Sequence, residues 1–322
     1  MNNYSASSKV GGHITLLFSI HSSNQKNFEE QGSRGAGICI EKGVTVDAIA
    51  KKGNGVVTVF SKEKNISTEL YIQVIKQISL LELNVNDFDW EFTIKSDLPF
   101  GQGFGCSAAG SLAATICVLK ILNEVSSLTT ALTVAHRVER ILSAGLGDVS
   151  ALGAGGIELR LEPGLPLLGK NGFVISWEAD FPMLLCWINE KEKHTSEYID
   201  DSKWKVKISL AGESCVSKLK QGDWTESAWE ELLKQSKLFS INSGLIEDAN
   251  RKTMVDKIKK VLNKLQLNEI LSVRLCMLGS SAVVLPTNIH KVNIEDFKQL
   301  LSELKSIGLD GCLTTVCSNP IR

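Results

Sequence analysis

The chain has 322 residues, is 43% hydrophobic and 22% charged, and carries a formal net charge of −1. That length accommodates two domains of ordinary size, and the near-neutral balance excludes a general nucleic-acid or membrane-surface binder, which needs an excess of basic charge. The eight cysteines form no C-x-x-C pair and several lie in apolar runs, which argues for free, mostly buried thiols in a reducing compartment, not for disulfides or zinc.

In chain order, residues 1–9 are polar and are expected to fray. Residues 10–20 alternate loosely and read as a strand containing His13. Gly32-Ser33-Arg34-Gly35-Ala36-Gly37 reads as a glycine-rich turn before a strand over 38–40. Apolar runs at 44–50 and 56–60 flank Lys51-Lys52-Gly53-Asn54-Gly55 and predict a hairpin. Leu70, Val74, Ile78 and Leu81 predict a helix over 68–83, and 88–94 alternates as a strand. Buried and amphipathic helices are predicted over 107–122 and 128–143, the second capped by Ser127 and stopped by Gly145 and Gly147. A strand over 157–161 carries Arg160.

Past residue 175 the character changes. Strands at 183–188, 271–277, 282–285 and 312–317, with helices at 224–238, 250–265 and 294–307, read as a ferredoxin-like β-α-β-β-α-β unit with an extra helix. The expected fold class is α+β, divided into residues 1–175 and 176–322. The first residues lack the basic and apolar regions of a signal peptide. The longest apolar run, 106–122, is interrupted by Lys120, so a cytoplasmic protein is expected.

The stretch from Asp97 to Gly110 organises the rest. Gly101, Gly103 and Gly105 alternate, and Cys106, Ser107, Ala108 and Ala109 follow at the start of the predicted buried helix. Glycine lets a backbone turn sharply and approach a ligand closely, and a helix start offers free N–H groups and partial positive charge. Together they make a phosphate site, and the Ser107 hydroxyl can cap the helix or reach Mg²⁺. A tight strand-to-helix turn is the plainer alternative. The Walker-type G-x-x-x-x-G-K-[ST] loop is absent. Gly103-x-Gly105-x-x-Ala108 matches the dinucleotide fingerprint, but it follows Pro99 and no acid-terminated strand comes about twenty residues later.

Phosphoryl transfer requires Mg²⁺ ligands, a group that orients the attacking oxygen, and positive charge for the acceptor. His136 and Glu139 share a helix face, and Glu139 with Ser107 supplies hard oxygen donors; a solvated pair is the alternative that periodicity alone favours. Asp148 either orients or deprotonates a hydroxyl, or only makes a turn. Arg160 either forks onto a carboxylate or faces outward from its strand. Ser33 and Arg34 either contact substrate or only shape their turn, and His13 reads most simply as a strand histidine with a local hydrogen bond.

These residues spell out a family. Pro99-x-Gly101-x-Gly103-Phe104-Gly105-Cys106-Ser107-Ala108-Ala109 resembles the phosphate motif of the GHMP kinase superfamily, and its Gly-Phe-Gly variant is similar to that of archaeal pantoate kinases. Gly12-His13-Ile14-Thr15, the 32–37 segment, Ala135-His136-x-x-Glu139 with Gly145-Leu-Gly147-Asp148-Val149, and Gly155-Gly156-x-x-x-Arg160 with Pro163-Gly164-x-Pro166 agree with it. The match is good over 10–170 and thinner later, where Met277-Leu278-Gly279 resembles a shortened third motif.

The resemblance implies an N-terminal split βαβ-type domain carrying the loop, a C-terminal ferredoxin-like domain, and ATP-dependent phosphorylation of the C4 hydroxyl of pantoate on the archaeal route to coenzyme A. It implies that Pro99, Gly101, Gly103, Phe104, Gly105, Cys106, Ser107, Ala108 and Ala109 hold ATP. It assigns Ser107 and Glu139 to Mg²⁺, and Asp148 to the substrate hydroxyl. Ser33, Arg34, His136, Arg160 and His13 fall to pantoate, with Arg160 facing its carboxylate. Superfamily analogy suggests a homodimer. The chain departs from the pattern at Gly11 and Leu16 in the first motif, at Cys106, where many members have Ser, and at Gly279-Ser280-Ser281. A related kinase acting on homoserine or mevalonate, a member that senses ligand without turnover, and a dinucleotide-binding protein are the competing readings.

Overall fold

A computed structural model of the chain describes residues 4–22, 27–62, 66–124, 128–166, 171–188, 202–277 and 279–322. Ser127, the expected helix cap, lies outside them. Two long strands, β1 (Tyr4–His21) and β2 (Gly32–Lys52), pair antiparallel along their whole length, starting with Tyr4 opposite Ala50. Of the residues expected to fray, Tyr4 to Lys9 belong to a paired strand, with Ser5 to Lys9 opposite Thr45 to Ile49, and residues 1–3 lie outside the described residues. β1 takes one edge of β2. The other edge is shared by β4 (Phe88–Ser96), beside the second half, and β5 (Ile157–Glu162), beside the first. β6 (Phe173–Trp177) adds to β5, so the first sheet extends two residues past the expected division at 175.

Two local expectations fail here. The 32–37 segment is extended strand, not a turn; its glycines let it run between β1 and β5 under large side chains. The predicted hairpin does not form either. β3 (Val57–Ser61) pairs parallel with β4, which lies between it and β2. Asp89 explains the detour. Its carboxylate accepts the N–H groups of Asn54 and Val56, both at 2.9 Å, and draws the turn across β4.

The helices α1 (Thr68–Ser79), α2 (Cys106–Ile121), α3 (Leu128–Ile141) and α4 (Asp148–Ala154) complete this half. α2 is apolar on all sides and sits at the centre, where Ala108, Ala109, Leu112, Ala113, Ala114 and Cys117 are fully buried. Its small residues let it lie close to β1 and β2. Trp90, Tyr71 and Phe92 fill the space beneath; burying each large side chain contributes about 1.5–3 kcal/mol or more.

The second sheet has the order β10-β7-β9-β8, all neighbours antiparallel, formed by β7 (Pro182–Trp187), β8 (Leu271–Cys276), β9 (Ser281–Pro286) and β10 (Asp310–Thr315). This is the expected ferredoxin-like order, covered by α6 (Trp229–Asn242), α7 (Ala249–Lys264) and α8 (Ile294–Ser306). A further helix, α5 (Ser202–Leu219), was not foreseen; it packs on β1 so closely that Gly212 has no room for a side chain beside the Phe18 carbonyl. The two sheets are joined through β1 and β2: the Met277 N–H donates to the Thr15 carbonyl at 3.1 Å, and Ile40 bridges to Val316. All eight cysteines are unpaired and seven are buried. Among the described residues no helix is long and apolar enough to cross a membrane.

Candidate active site

Gly101, Gly103 and Gly105 have φ of 83°, 76° and 67°, so the alternating glycines correspond to alternating left-handed residues. Other residues adopt this conformation only at a cost. Gly105 caps α2, whose first-turn N–H groups lack intrahelical acceptors and carry partial positive charge. The loop is held from both sides. The Phe104 carbonyl accepts the His13 N–H at 3.0 Å. From the second sheet, Ser281 donates to the Gln102 carbonyl, the Gln102 amide donates to the Ile188 carbonyl at 3.0 Å, and the Phe104 ring meets Trp187 edge-on at 5.8 Å. Gly279 packs directly on Gln102, which gives the third motif its role as a brace. Cys106 is 4% exposed and its Sγ lies toward the carbonyls of Leu98 and Pro99, so Cys in place of Ser costs the loop no outward-facing hydroxyl.

Past the helix start, Ser107 Oγ donates to Glu139 Oε2 at 3.2 Å. Glu139, on α3, is 2% exposed and its Oε1 has no hydrogen-bond partner among the described residues. Burial, followed by the nearby Asp148 charge, pushes its carboxyl up to about 8. Gly145 lies where the two carboxylates converge: a Cβ there would overlap Glu139 Oε2 and stand 3.1 Å from Asp148 Oδ2.

Asp148 opens α4 and begins a buried polar chain. Its Oδ1 is 2.7 Å from His13 Nδ1, and His13 Nε2 is 3.0 Å from Glu158 Oε1, which also accepts Arg160 Nη1. His13 and Glu158 are fully buried, Arg160 is 1% exposed, and the Asp148 side chain retains 23%. Burial opposes the charge on His13, but the hydrogen bonds to Asp148 and Glu158 outweigh it and raise its pKa. Burial likewise opposes ionisation of Asp148, and the His13 hydrogen bond and charge overcome it, leaving that carboxyl below its ordinary value. Arg160 Nε and Nη2 and Glu158 Oε2 have no hydrogen-bond partners among the described residues. Gly147 makes room for this end: a Cβ there would overlap Ser33 Oγ and lie 2.6 Å from Arg160 Nε.

The expected site residues therefore divide. Ser107, Glu139, Asp148, Arg160 and Ser33 converge around Gly145 and Gly147. Arg34 does not join them. Alternation along β2 sends it to the opposite face from Ser33, where its Nη1 pairs with Glu213 of α5 and its Nε donates to the Leu161 carbonyl at 2.8 Å. His136 lies under the turn that precedes Ser33: its Nε2 is 2.9 Å from the Phe28 carbonyl and 3.1 Å from that of Gln31, and its ring is 2% exposed. His13 is not open to a ligand; it bridges two acids. Glu158 was missed by sequence reasoning, although Glu158 and Arg160, two apart in a strand, necessarily share a face.

Comparisons with known proteins agree on the class. Residues 69–156 match the family profile described as GHMP kinases N terminal domain. The chain is 34% identical over 239 residues to a pantoate kinase of Methanocaldococcus jannaschii, covering 74% of this chain and 80% of that one. It is 27% identical over 309 residues to a pantoate kinase of Thermococcus kodakarensis, covering 92% and 91%. A solved structure described as a phosphotransferase related to the CoA biosynthesis pathway superposes with a TM-score of 0.78 over 99% of this chain and 98% of that one, at 21% identity.

Proposed function

The chain belongs to the pantoate kinase family of GHMP kinases, and we propose that its site moves the γ-phosphoryl group of ATP to the C4 hydroxyl of pantoate, giving 4-phosphopantoate. The observation that carries the residue roles is the convergence of two kinds of anion site. One is a backbone cradle at a helix start. The other is a buried guanidinium with two unpartnered nitrogens.

In this reading the glycine loop and the first turn of α2 hold the triphosphate, with the Ser107 hydroxyl beside it. Glu139 fits a divalent cation: it is a buried carboxyl with an orphaned oxygen, and burial and the Asp148 charge raise its pKa despite the charge of Arg140. Ser107 and Glu139 would hold Mg²⁺, which when bound neutralises phosphate charge. Among the described residues no group of three or more His, Cys, Asp or Glu is arranged to ligate a metal. Arg160, whose Nη1 is paired with Glu158, offers Nε and Nη2 to the carboxylate of pantoate, with Ser33 beside it; buried donors without acceptors are costly until an acceptor arrives. Asp148, kept ionised, accepts the hydrogen bond of the C4 hydroxyl and points its lone pair at phosphorus. In a loose transition state this orientation matters more than early proton removal. His136 acts through the 28–31 turn that leads into Ser33.

Coupled ADP release with Mg²⁺–ATP and a panel of pantoate, homoserine, mevalonate, shikimate and pantothenate tests the proposal. Turnover confined to pantoate is the expected result. Turnover on another alcohol instead would overturn the substrate assignment, and silence with ATP still bound would overturn the kinase reading.

A further inference from the structure

His13 has a position that a simple core histidine does not need. Its two ring nitrogens face two carboxylates, Asp148 at 2.7 Å and Glu158 at 3.0 Å. An ionised carboxylate only accepts hydrogen bonds, and a neutral imidazole donates from one nitrogen only. Satisfying both contacts requires the imidazolium, which donates on both sides. Asp148, His13, Glu158 and Arg160 then alternate in sign, and the array sums to zero charge. That is how four ionisable groups share a buried space.

The surroundings are built for this ring. A Cβ on Gly37 would overlap Nε2, and one on Gly105 would lie 3.0 Å from the His13 nitrogen and 3.1 Å from its Cβ. Thr15 Oγ1 stands 3.5 Å from Nδ1. The charged groups around the ring are Asp148 from α4 and Glu158 from β5, with Arg160 beyond Glu158 and Glu139 of α3 beyond Asp148. The Cys39 thiol of β2 is the other titratable neighbour, and burial keeps it protonated. The ring thus pins three elements, β1, α4 and β5, at one point. With Oδ1 held by His13, the other oxygen of Asp148 is directed toward Gly145 and Glu139, the phosphate side of the site.

We propose that His13 is a positioning residue for phosphoryl transfer: bridged to Glu158, it fixes the rotation of the Asp148 carboxylate and links it mechanically to the guanidinium of Arg160. The inference rests on the role proposed above for Asp148. The Asp148 carboxylate also takes a backbone hydrogen bond from its own residue at the start of α4; released from His13, it is free to rotate further onto the first N–H groups of that helix, as acids at helix starts do.

The test is a double-mutant cycle on the full chain with Mg²⁺–ATP and pantoate, using His13→Gln, Asp148→Asn and the pair. His13→Gln is expected to lower kcat on the order of 10²-fold, the loss that small misplacement of a reacting group produces, with the KM for ATP within about twofold of the parent. Placed on Asp148→Asn, it is expected to cost less than about twofold more, because it acts only through that carboxylate. An unchanged kcat in the single variant, or an equal fold-loss in both backgrounds, would overturn the proposal. If His13→Gln lowers the thermal midpoint and abolishes ATP binding, Glu158→Gln, which keeps the volume, reads the same clamp from its far side. A drop in kcat of roughly tenfold is expected there, since a neutral acceptor holds the imidazolium less strongly, and no drop would overturn the proposal. Failure of Asp148→Asn itself to slow turnover would refute the role of Asp148, a different outcome from failure of the clamp.

Discussion

The two ends of this site are made of different materials. On the proposed roles, the phosphate end is backbone: three left-handed glycines, a helix start and one hydroxyl. The acceptor end is side chain: an aspartate, a histidine, a glutamate and an arginine, three of them with almost no exposure. A polyphosphate spreads its charge over many oxygens and is well matched by many weak dipoles. A small hydroxy acid needs point charges at two fixed places, and such charges are tolerated inside a protein only when they neutralise one another. Glycine serves both ends for opposite reasons. At 101, 103 and 105 it supplies a conformation; at 37, 145 and 147 it supplies room for a charged side chain.

If the ends are separable, damage to one should leave the other's kinetic constants alone. The largest effect belongs to Asp148→Asn. It should lower kcat by ~10²–10⁴-fold in coupled ADP release while the KM for ATP holds, and a parallel loss of ATP affinity would break the separation. Next is a pH effect under Ser33. Burial, with the charge of Arg140, holds His136 near 4 against its ordinary 6.5, overcoming its bonds to Phe28 and Gln31. The unfolded chain takes up a proton between those values and the folded chain does not. This contribution is complete above pH 6.5 and is lost as pH falls toward 4, on the order of 3 kcal/mol in all. Unfolding free energies measured at pH 7 and pH 4.5 should converge in His136→Gln relative to the parent.

Arg160→Ala should raise the KM for pantoate by roughly 10- to 100-fold, from one charge-assisted bond worth about 1.5–3 kcal/mol, and spare that for ATP. The smallest change is Gly103→Ala. Its positive φ costs about 1–2 kcal/mol for any side chain, and the new Cβ would stand 3.0 Å from the Met277 carbonyl, so the KM for ATP should rise about tenfold with that for pantoate unmoved. A shift in the pantoate constant there would mean that the ends communicate.

The same contrast decides what could be read before folding. Backbone function leaves a local trace: the spacing of Gly101, Gly103 and Gly105 and the apolar run after them located the loop and α2 to within one residue. The ferredoxin-like order was legible because alternating strands and amphipathic helices follow one another there in simple succession. Side-chain function leaves no such trace. His13, Asp148 and Glu158 are separated by more than a hundred positions at the first step, and nothing in periodicity announces that a strand histidine will sit between two acids. The separation of Arg34 from Ser33 was hidden for a related reason: taking 32–37 as a turn concealed the alternation that sends the two to opposite faces. The hairpin between β2 and β3 failed because turn glycines specify a reversal and not a partner, and β4 competed for the edge.

The brace on the phosphate loop has a consequence for descent. The residues that spell the motif lie in one segment, yet Gln102 and Phe104 are held by Ile188, Trp187, Gly279 and Ser281 of the other sheet. A gene rearrangement that transplanted the motif-bearing segment alone would transmit its spelling without its shape. A lineage that swapped the second half for a different sheet would have to reinvent the wall against which the loop is cast.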